Sequence, residues 1–218
     1  MTYDEIRKDN AVNIYIAQAD ASLEALGFTE HSFPHVTRVA ETAGTLLMQL
    51  GYDSRTAELA KIAGYLHDIG NVVNRVDHSQ SGAVMAFRIL DRLNLPPEEI
   101  AAIVTAIGNH DEGTGVPVNA VAAALIIADK SDVRRSRVRL QADIVSDIHD
   151  RVNYSVTGSR LQVSPETGTL TLELEVDPAV SSVMEYFEIF MKRMLLCRKA
   201  AQKLGLTFRL TINGQILA

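Results

Sequence analysis

The stretch Ala63-Gly64-Tyr65-Leu66-His67-Asp68-Ile69-Gly70 ends an apolar helical run with an imidazole and a carboxylate side by side. His67 follows Ala63 by four residues, a spacing that keeps both on one helix face, so the imidazole is expected near a buried surface. Two other segments do the same. Ala122, Leu125 and Ile126 define an apolar stripe whose next member is Asp129, and His110 continues the stripe of Ile103 and Ile107. An unpaired carboxylate on such a face costs several kcal/mol as an order of magnitude, so it needs a cation or donors. Convergence of His and Asp from several helices is how a bundle builds a metal site. Mixed nitrogen and oxygen ligands suit Fe, Mn, Co, Ni or Zn better than Mg or Ca. His35, at the start of a predicted helix, and His78, in the loop leading into another, complete the candidate set.

Outward from that stretch, the chain reads as helices to about residue 157. A capping box of Thr2 and Glu5 opens a helix expected to run to Leu26, where Gly27 stops it. Others are expected over about residues 34–50, 54–68, 79–93, from Pro97, and over 119–132, with a seventh within 140–154. The pattern then changes. Residues 160–164 and 169–176 alternate in hydropathy around the turn Pro165-Glu166-Thr167-Gly168, which predicts a hairpin. A helix over 178–204 and strands at 207–212 and 215–217 follow. The expected fold is mostly α: a helical metal-binding domain over 1–157 and a small α+β domain over 158–218, ordered strand–strand–helix–strand–strand.

The chain has 218 residues, 47% of them hydrophobic, with a net charge of −6 and one cysteine, Cys197. That suffices for a sizeable core without disulfides. An acidic chain is poorly suited to gripping polymeric nucleic acid, although a small phosphorylated ligand answers only to local charge. The polar N-terminus and the lack of a long apolar run predict a cytoplasmic protein with no membrane partner.

His67-Asp68-Ile69-Gly70 resembles the HDIG signature of the HD superfamily of metal-dependent phosphohydrolases. The series His35, His67-Asp68, His78, His110, Asp129 resembles its extended ligand set. Ala63 to Gly70 and Ala128-Asp129-Lys130 are most similar to the bacterial HD-type family that hydrolyses diadenosine tetraphosphate symmetrically. The resemblance covers about residues 33–137 and implies an all-helical core. It also implies that His35, His67, Asp68 and Asp129 hold one divalent transition metal ion. Adding His78 and His110 implies a second, with Asp68 bridging the two and orienting the nucleophile. The sequence departs from the tetraphosphatase pattern in the short spacing from His67-Asp68 to His78 and in the α+β tail.

A phosphate-cleaving site needs cations near the substrate. Arg38, three residues after His35, Lys130, directly after Asp129, and Arg135 are expected to meet the small, nucleotide-like substrate, with Asp68 and Lys130 catalytic. A second pair, His149-Asp150, lies in a polar run and is read as a solvated helix face outside the site. Two other readings use the same ligands: a di-iron oxygenase of the HD superfamily, and a nucleotide-binding regulatory protein. The long C-terminal helix is broadly apolar at Val180, Val183, Met184, Phe187, Phe190, Met191 and Met194, which predicts a homodimer.

Overall fold

The computed structural model describes residues 1–139, 144 and 146–217. The helical part contains α1 (Tyr3–Lys8), α2 (Asn10–Ala25), α3 (Phe33–Gln49), α4 (Ser54–Leu66), α5 (His78–Arg92), α6 (Pro97–Gly108), α7 (Ala120–Ser131) and α8 (Ile148–Ser155). The C-terminal part contains β1 (Val156–Ser164), β2 (Thr169–Val176), α9 (Val183–Lys203), β3 (Thr207–Ile212) and β4 (Gln215–Ile216). Mostly helical architecture followed by a small sheet and helix is thus observed as expected.

The centre of the helical part is α7. Every residue from Val121 to Ser131 is buried, because the helix packs against α3, α4, α6 and α9. A helix apolar all round is at home only in such a place. Two of its last residues, Asp129 and Lys130, carry opposite charges into the interior.

Four local expectations are corrected. The first helix is broken at Asp9, which is extended (φ −70°, ψ 117°), closes α1 and caps α2 by accepting the Val12 N–H at 3.0 Å. Its other oxygen pairs with Arg92 at 2.6 Å, so one side chain both starts α2 and ties it to α5. Helix α4 stops at Leu66 rather than Asp68, and a 3-10 turn over Ile69–Val72 follows. Helix α5 begins at His78, which therefore lies in its first turn and not in a loop. Strand β1 starts at Val156, directly after α8, with a register irregularity before Gly158. Of the predicted helix within 140–154, residues 140–143 and 145 lie outside the described residues.

Gly70 does more than end a helix. A Cβ there would collide with the backbone oxygen of His78 and come within 2.5 Å of the Gly82 nitrogen and 2.6 Å of Ser81 Oγ. The turn after His67-Asp68 therefore lies directly against the start of α5. Gly64 serves the same end one turn earlier, where a Cβ would lie 2.7 Å from Ala40 Cα on α3. These two close approaches draw α3, α4 and α5, and with them His35, His67 and His78, together at one end of the bundle.

The sheet has the order β1-β2-β3-β4. β1 pairs antiparallel with β2, β2 parallel with β3, and β3 antiparallel with β4. The parallel pair requires a crossover, and α9 supplies it. Leu170, Leu172 and Leu174 of β2 face the register partners Phe208, Leu210 and Ile212 of β3. All six are buried, as a period of two requires. Helix α9 is opened by a reciprocal capping box of Ser182 and Glu185. It buries Tyr186, Phe190, Met194 and Cys197 and touches both β3 and α7. One hydrophobic core runs from Tyr3 to Ile212, including residues from both parts of the chain.

Candidate metal centre

Six residues from five elements meet at the buried end of α7. His35 comes from the first turn of α3, His67 and Asp68 from the end of α4, His78 from the start of α5, His110 from just beyond α6, and Asp129 from α7. All six are buried, with relative exposures of 8% or less.

The outward nitrogen of each imidazole is engaged by an acceptor. His67 Nδ1 lies 2.8 Å from the Gly64 carbonyl, His110 Nδ1 2.6 Å from that of Ile107, and His78 Nδ1 3.1 Å from that of Arg75. His35 Nδ1 lies 2.8 Å from Asp132 Oδ2. A carbonyl only accepts, so Nδ1 carries a proton, and in the neutral ring Nε2 presents its lone pair inward. The inward atoms crowd two carboxylates. His35 Nε2 is 3.6 Å from Asp68 Oδ2 and 3.5 Å from Asp129 Oδ1. His67 Nε2 is 3.2 Å from Asp68 Oδ2 and 3.7 Å from Asp129 Oδ1. On the other side, Asp68 Oδ1 faces His78 Nε2 at 3.5 Å and His110 Nε2 at 3.9 Å, and those two nitrogens are 3.2 Å apart.

Nitrogen lone pairs and carboxylate oxygens pointed at one another repel unless a cation or a proton lies among them. His35 Nε2 and His67 Nε2 have no hydrogen-bond partner among the described residues. Buried polar atoms seldom lack one without a reason. Two overlapping groups, His35-His67-Asp129 and His67-Asp68-His110, have ligand atoms within 4.8 Å of one another. The donor set fits a divalent transition metal ion, and its histidines already have the outer hydrogen bonds that orient metal ligands.

Charge balance agrees. Burial pushes the His110 pKa down to about 3 and lowers that of His78, so both are neutral. Burial alone would raise the carboxyl pKa of Asp68, but neighbouring His67 outweighs it and holds the group well below the usual range. Burial likewise opposes a charged His67, but Asp68 outweighs it and raises that imidazole's pKa, so with no ion present the pair holds a proton between them. Asp129 is held low in the same way, chiefly by Lys130.

The other expected residues are placed less simply. Lys130 is buried, with its ammonium 2.7 Å from Asp129 Oδ2 and 2.6 Å from Glu112 Oε2. Its charge is therefore used by two carboxylates, not offered to an open cleft. Arg38 is half exposed and pairs with Asp132 at 3.1 Å. Arg135 turns to the Tyr154 carbonyl at 2.6 Å and lies over the Tyr154 ring. Three residues that the sequence reading did not assign support the centre. Asp132 orients His35, Glu112 holds Lys130, and Asn71 donates to Asp68 Oδ1 at 3.1 Å.

A cleft of about 360 Å³ lies beside these supports, lined by His31, Arg75, Glu112, Arg137, His149, Asp150, Phe190 and Arg193 among others. The His31 and His35 ring centroids are 5.4 Å apart, and Glu112 reaches Asp129 through Lys130. The pair His149-Asp150 divides: His149 is 67% exposed, as expected of a solvated face, whereas Asp150 is buried, and both residues line the cleft.

The fold and this cluster define a helical protein with a buried His/Asp metal centre. A family model, the HD domain, matches residues 33–151, more than half of the chain, and the chain belongs to that family. An uncharacterized protein of Methanocaldococcus jannaschii is 28% identical, over 64% of this chain and 62% of its own length. Ribonuclease Y of Sulfurimonas denitrificans is 33% identical over 44% of this chain, and that of Bacillus pumilus 30% over 51%. The chain spans less than two-thirds of the M. jannaschii protein, and 18% and 20% of the two ribonucleases. A solved structure of an HD superfamily hydrolase from an uncultured Thermotogales bacterium matches with a TM-score of 0.47 at 23% identity, covering 62% of this chain and 75% of its own. The family model places the chain in the HD superfamily; none of the matches supports the particular likeness to the tetraphosphatase family.

Proposed function

We propose that the protein is a metal-dependent phosphohydrolase that cleaves an ester or anhydride bond of a small, nucleotide-like phosphorylated substrate. One observation carries this reading: four imidazoles, each tied at Nδ1, direct Nε2 at Asp68 and Asp129. A divalent ion held by these residues would supply Lewis-acid chemistry, making hydroxide available near neutral pH. The protein does the positioning. Asp68 has one oxygen toward His35 and His67 and the other toward His78 and His110, so it serves two adjacent sites at once. Asn71 restrains that carboxylate, and Asp129 would hold an ion through Oδ1 while Lys130 neutralises its second oxygen.

A small substrate is favoured over a polymer by the cleft's volume of about 360 Å³ and the net charge of −6. The ribonuclease names among the relatives make an oligonucleotide a necessary member of the substrate panel. The HDIG-centred motif similarity makes diadenosine tetraphosphate another. The test is a phosphatase screen of purified protein with added Mn(II), Co(II) or Fe(II), with oxygen uptake followed in parallel. Release of phosphate or nucleotide supports the reading, whereas oxygen uptake without hydrolysis supports an oxygenase.

Asp132 should matter without touching an ion. Asp132→Ala removes the acceptor that fixes the His35 tautomer and is expected to weaken metal binding about 10–100-fold. Titration of metal-free protein with Mn(II) measures this, and unchanged affinity would contradict the assigned role.

We also propose a homodimer through the outer face of α9. Met184, Met191 and Leu195 are 77%, 44% and 40% exposed and lie on one stripe of the helix. Light scattering at micromolar concentration is expected to give twice the chain mass; a monomer rejects this interface. No helix among the described residues is long and apolar enough to cross a membrane.

A further inference from the structure

We infer that α9, which lies outside the residues matched by the HD-domain model, completes the substrate pocket, with Arg193 and Arg137 forming an anion-binding pair for a phosphate group. This rests on the hydrolase reading only for the word substrate; the anion site itself stands on the geometry that follows. Arg137 is 4% exposed, yet its Nη2 has no hydrogen-bond partner among the described residues. Its other nitrogens are used: Nε donates to the Glu30 carbonyl at 2.9 Å and Nη1 to that of Asp132 at 3.0 Å. Those two bonds hold the guanidinium rigidly and leave Nη2 over. Arg193 also has a spare buried donor, Nε, while its Nη2 pairs with Glu112 Oε1 at 3.2 Å. Its guanidinium carbon lies 4.3 Å from the centroid of the Phe190 ring, which holds it in place. Both arginines line the cleft.

Among the described residues, three arginines, Arg75, Arg137 and Arg193, line the cleft with three carboxylates, Glu112, Asp147 and Asp150, and Arg137 Nη1 also lies 3.9 Å from Asp132 Oδ2. Glu112, the acid nearest Arg193, is shared with Lys130 at 2.6 Å, so one carboxylate answers two cations. A buried guanidinium with an unused N–H is costly unless an acceptor reaches it, and phosphate oxygens are its best match in geometry and charge. A third guanidinium, Arg75, lies over the Phe28 ring at 5.4 Å on the cleft wall. The consequence for specificity is that the pocket is built by two parts of the chain. The HD region supplies the metal centre, and α9 supplies part of the grip on the anion.

The experiment uses the full chain and two probes, inorganic phosphate and adenosine 5′-monophosphate, with binding followed by calorimetry. Wild type is expected to bind both, and Arg193→Gln to bind each about ten- to a hundredfold more weakly. Metal content should be unchanged. Arg193→Lys keeps a cation opposite Glu112 and so guards against misfolding, but it loses the fork of donors; it is expected to bind several-fold more weakly than wild type. Binding equal to wild type in the folded glutamine or lysine variant overturns the proposal and leaves Arg193 as the counter-ion of Glu112 alone. The hydrolase reading fails separately: if no phosphate ester is cleaved by the metal-loaded protein while Arg193→Gln still loses phosphate binding, the anion site stands without the activity.

Discussion

Asp68→Ala is expected to reduce hydrolysis to background, a loss of about three orders of magnitude or more. Among the described residues, Asp68 is the one carboxylate whose two oxygens face different histidine pairs, at 3.2 and 3.6 Å on one side and 3.5 and 3.9 Å on the other. Removing it deletes a ligand from each side and the group that orients the attacking water. Losses of several kcal/mol are ordinary for charge stabilisation of this kind, and about 1.4 kcal/mol is tenfold in rate. Asp68→Asn keeps the volume and one acceptor but loses the charge, and is expected to fall between the two. The check is kcat together with metal stoichiometry for each variant. Near wild-type turnover in Asp68→Ala would remove Asp68 from the mechanism.

The second large effect falls on the fold. Gly70→Ala is expected to destabilise the protein by about 3 kcal/mol, since an inserted methyl in a packed site typically costs 1–3. Elsewhere the same change often stabilises by about 0.4–1 kcal/mol, by restricting the unfolded chain. Here the new Cβ meets backbone at His78 and Gly82, which cannot swing aside as a flexible side chain would. The start of α5 must move, and His78 moves with it. The melting temperature should fall by roughly 6–12 °C for a chain of this size. Gly108→Ala is the control, because the nearest atom to its Cβ is 3.7 Å away, an ordinary contact. If the two variants melt alike, the close approach of the Gly70 turn to α5 is not what locks the site.

Part of the cluster was legible in the sequence because a residue that closes an apolar stripe at helical spacing lies on a buried face. His67, His110 and Asp129 follow from that rule, and the structure brings them together with His35, Asp68 and His78. Gly70 was legible only as a helix stop; its steric role depends on α5, which a local reading cannot place. Asp132 gave a faint signal as a neighbour of Asp129 on one face. Glu112 and Arg193 gave none, since their pairing joins the segment after α6 to a helix about eighty residues later. Asp150 misled for the same reason: its polar neighbours suggest solvent, as holds for His149, while the fold buries Asp150 at the cleft wall. The break at Asp9 reflects a competition between helix propagation and a side-chain cap, and the cap prevails because Arg92 holds the same carboxylate.

The central claim is that His67 and Asp68, not His149 and Asp150, belong to a metal centre. Its most direct test is elemental analysis of wild type, His67→Ala and His149→Ala after reconstitution with Mn(II) or Fe(II) and dialysis. The expected result is at least one tightly held ion per chain in wild type and in His149→Ala, with His67→Ala largely empty. Metal lost from His149→Ala but retained by His67→Ala, or no ion held by wild type, would contradict the account.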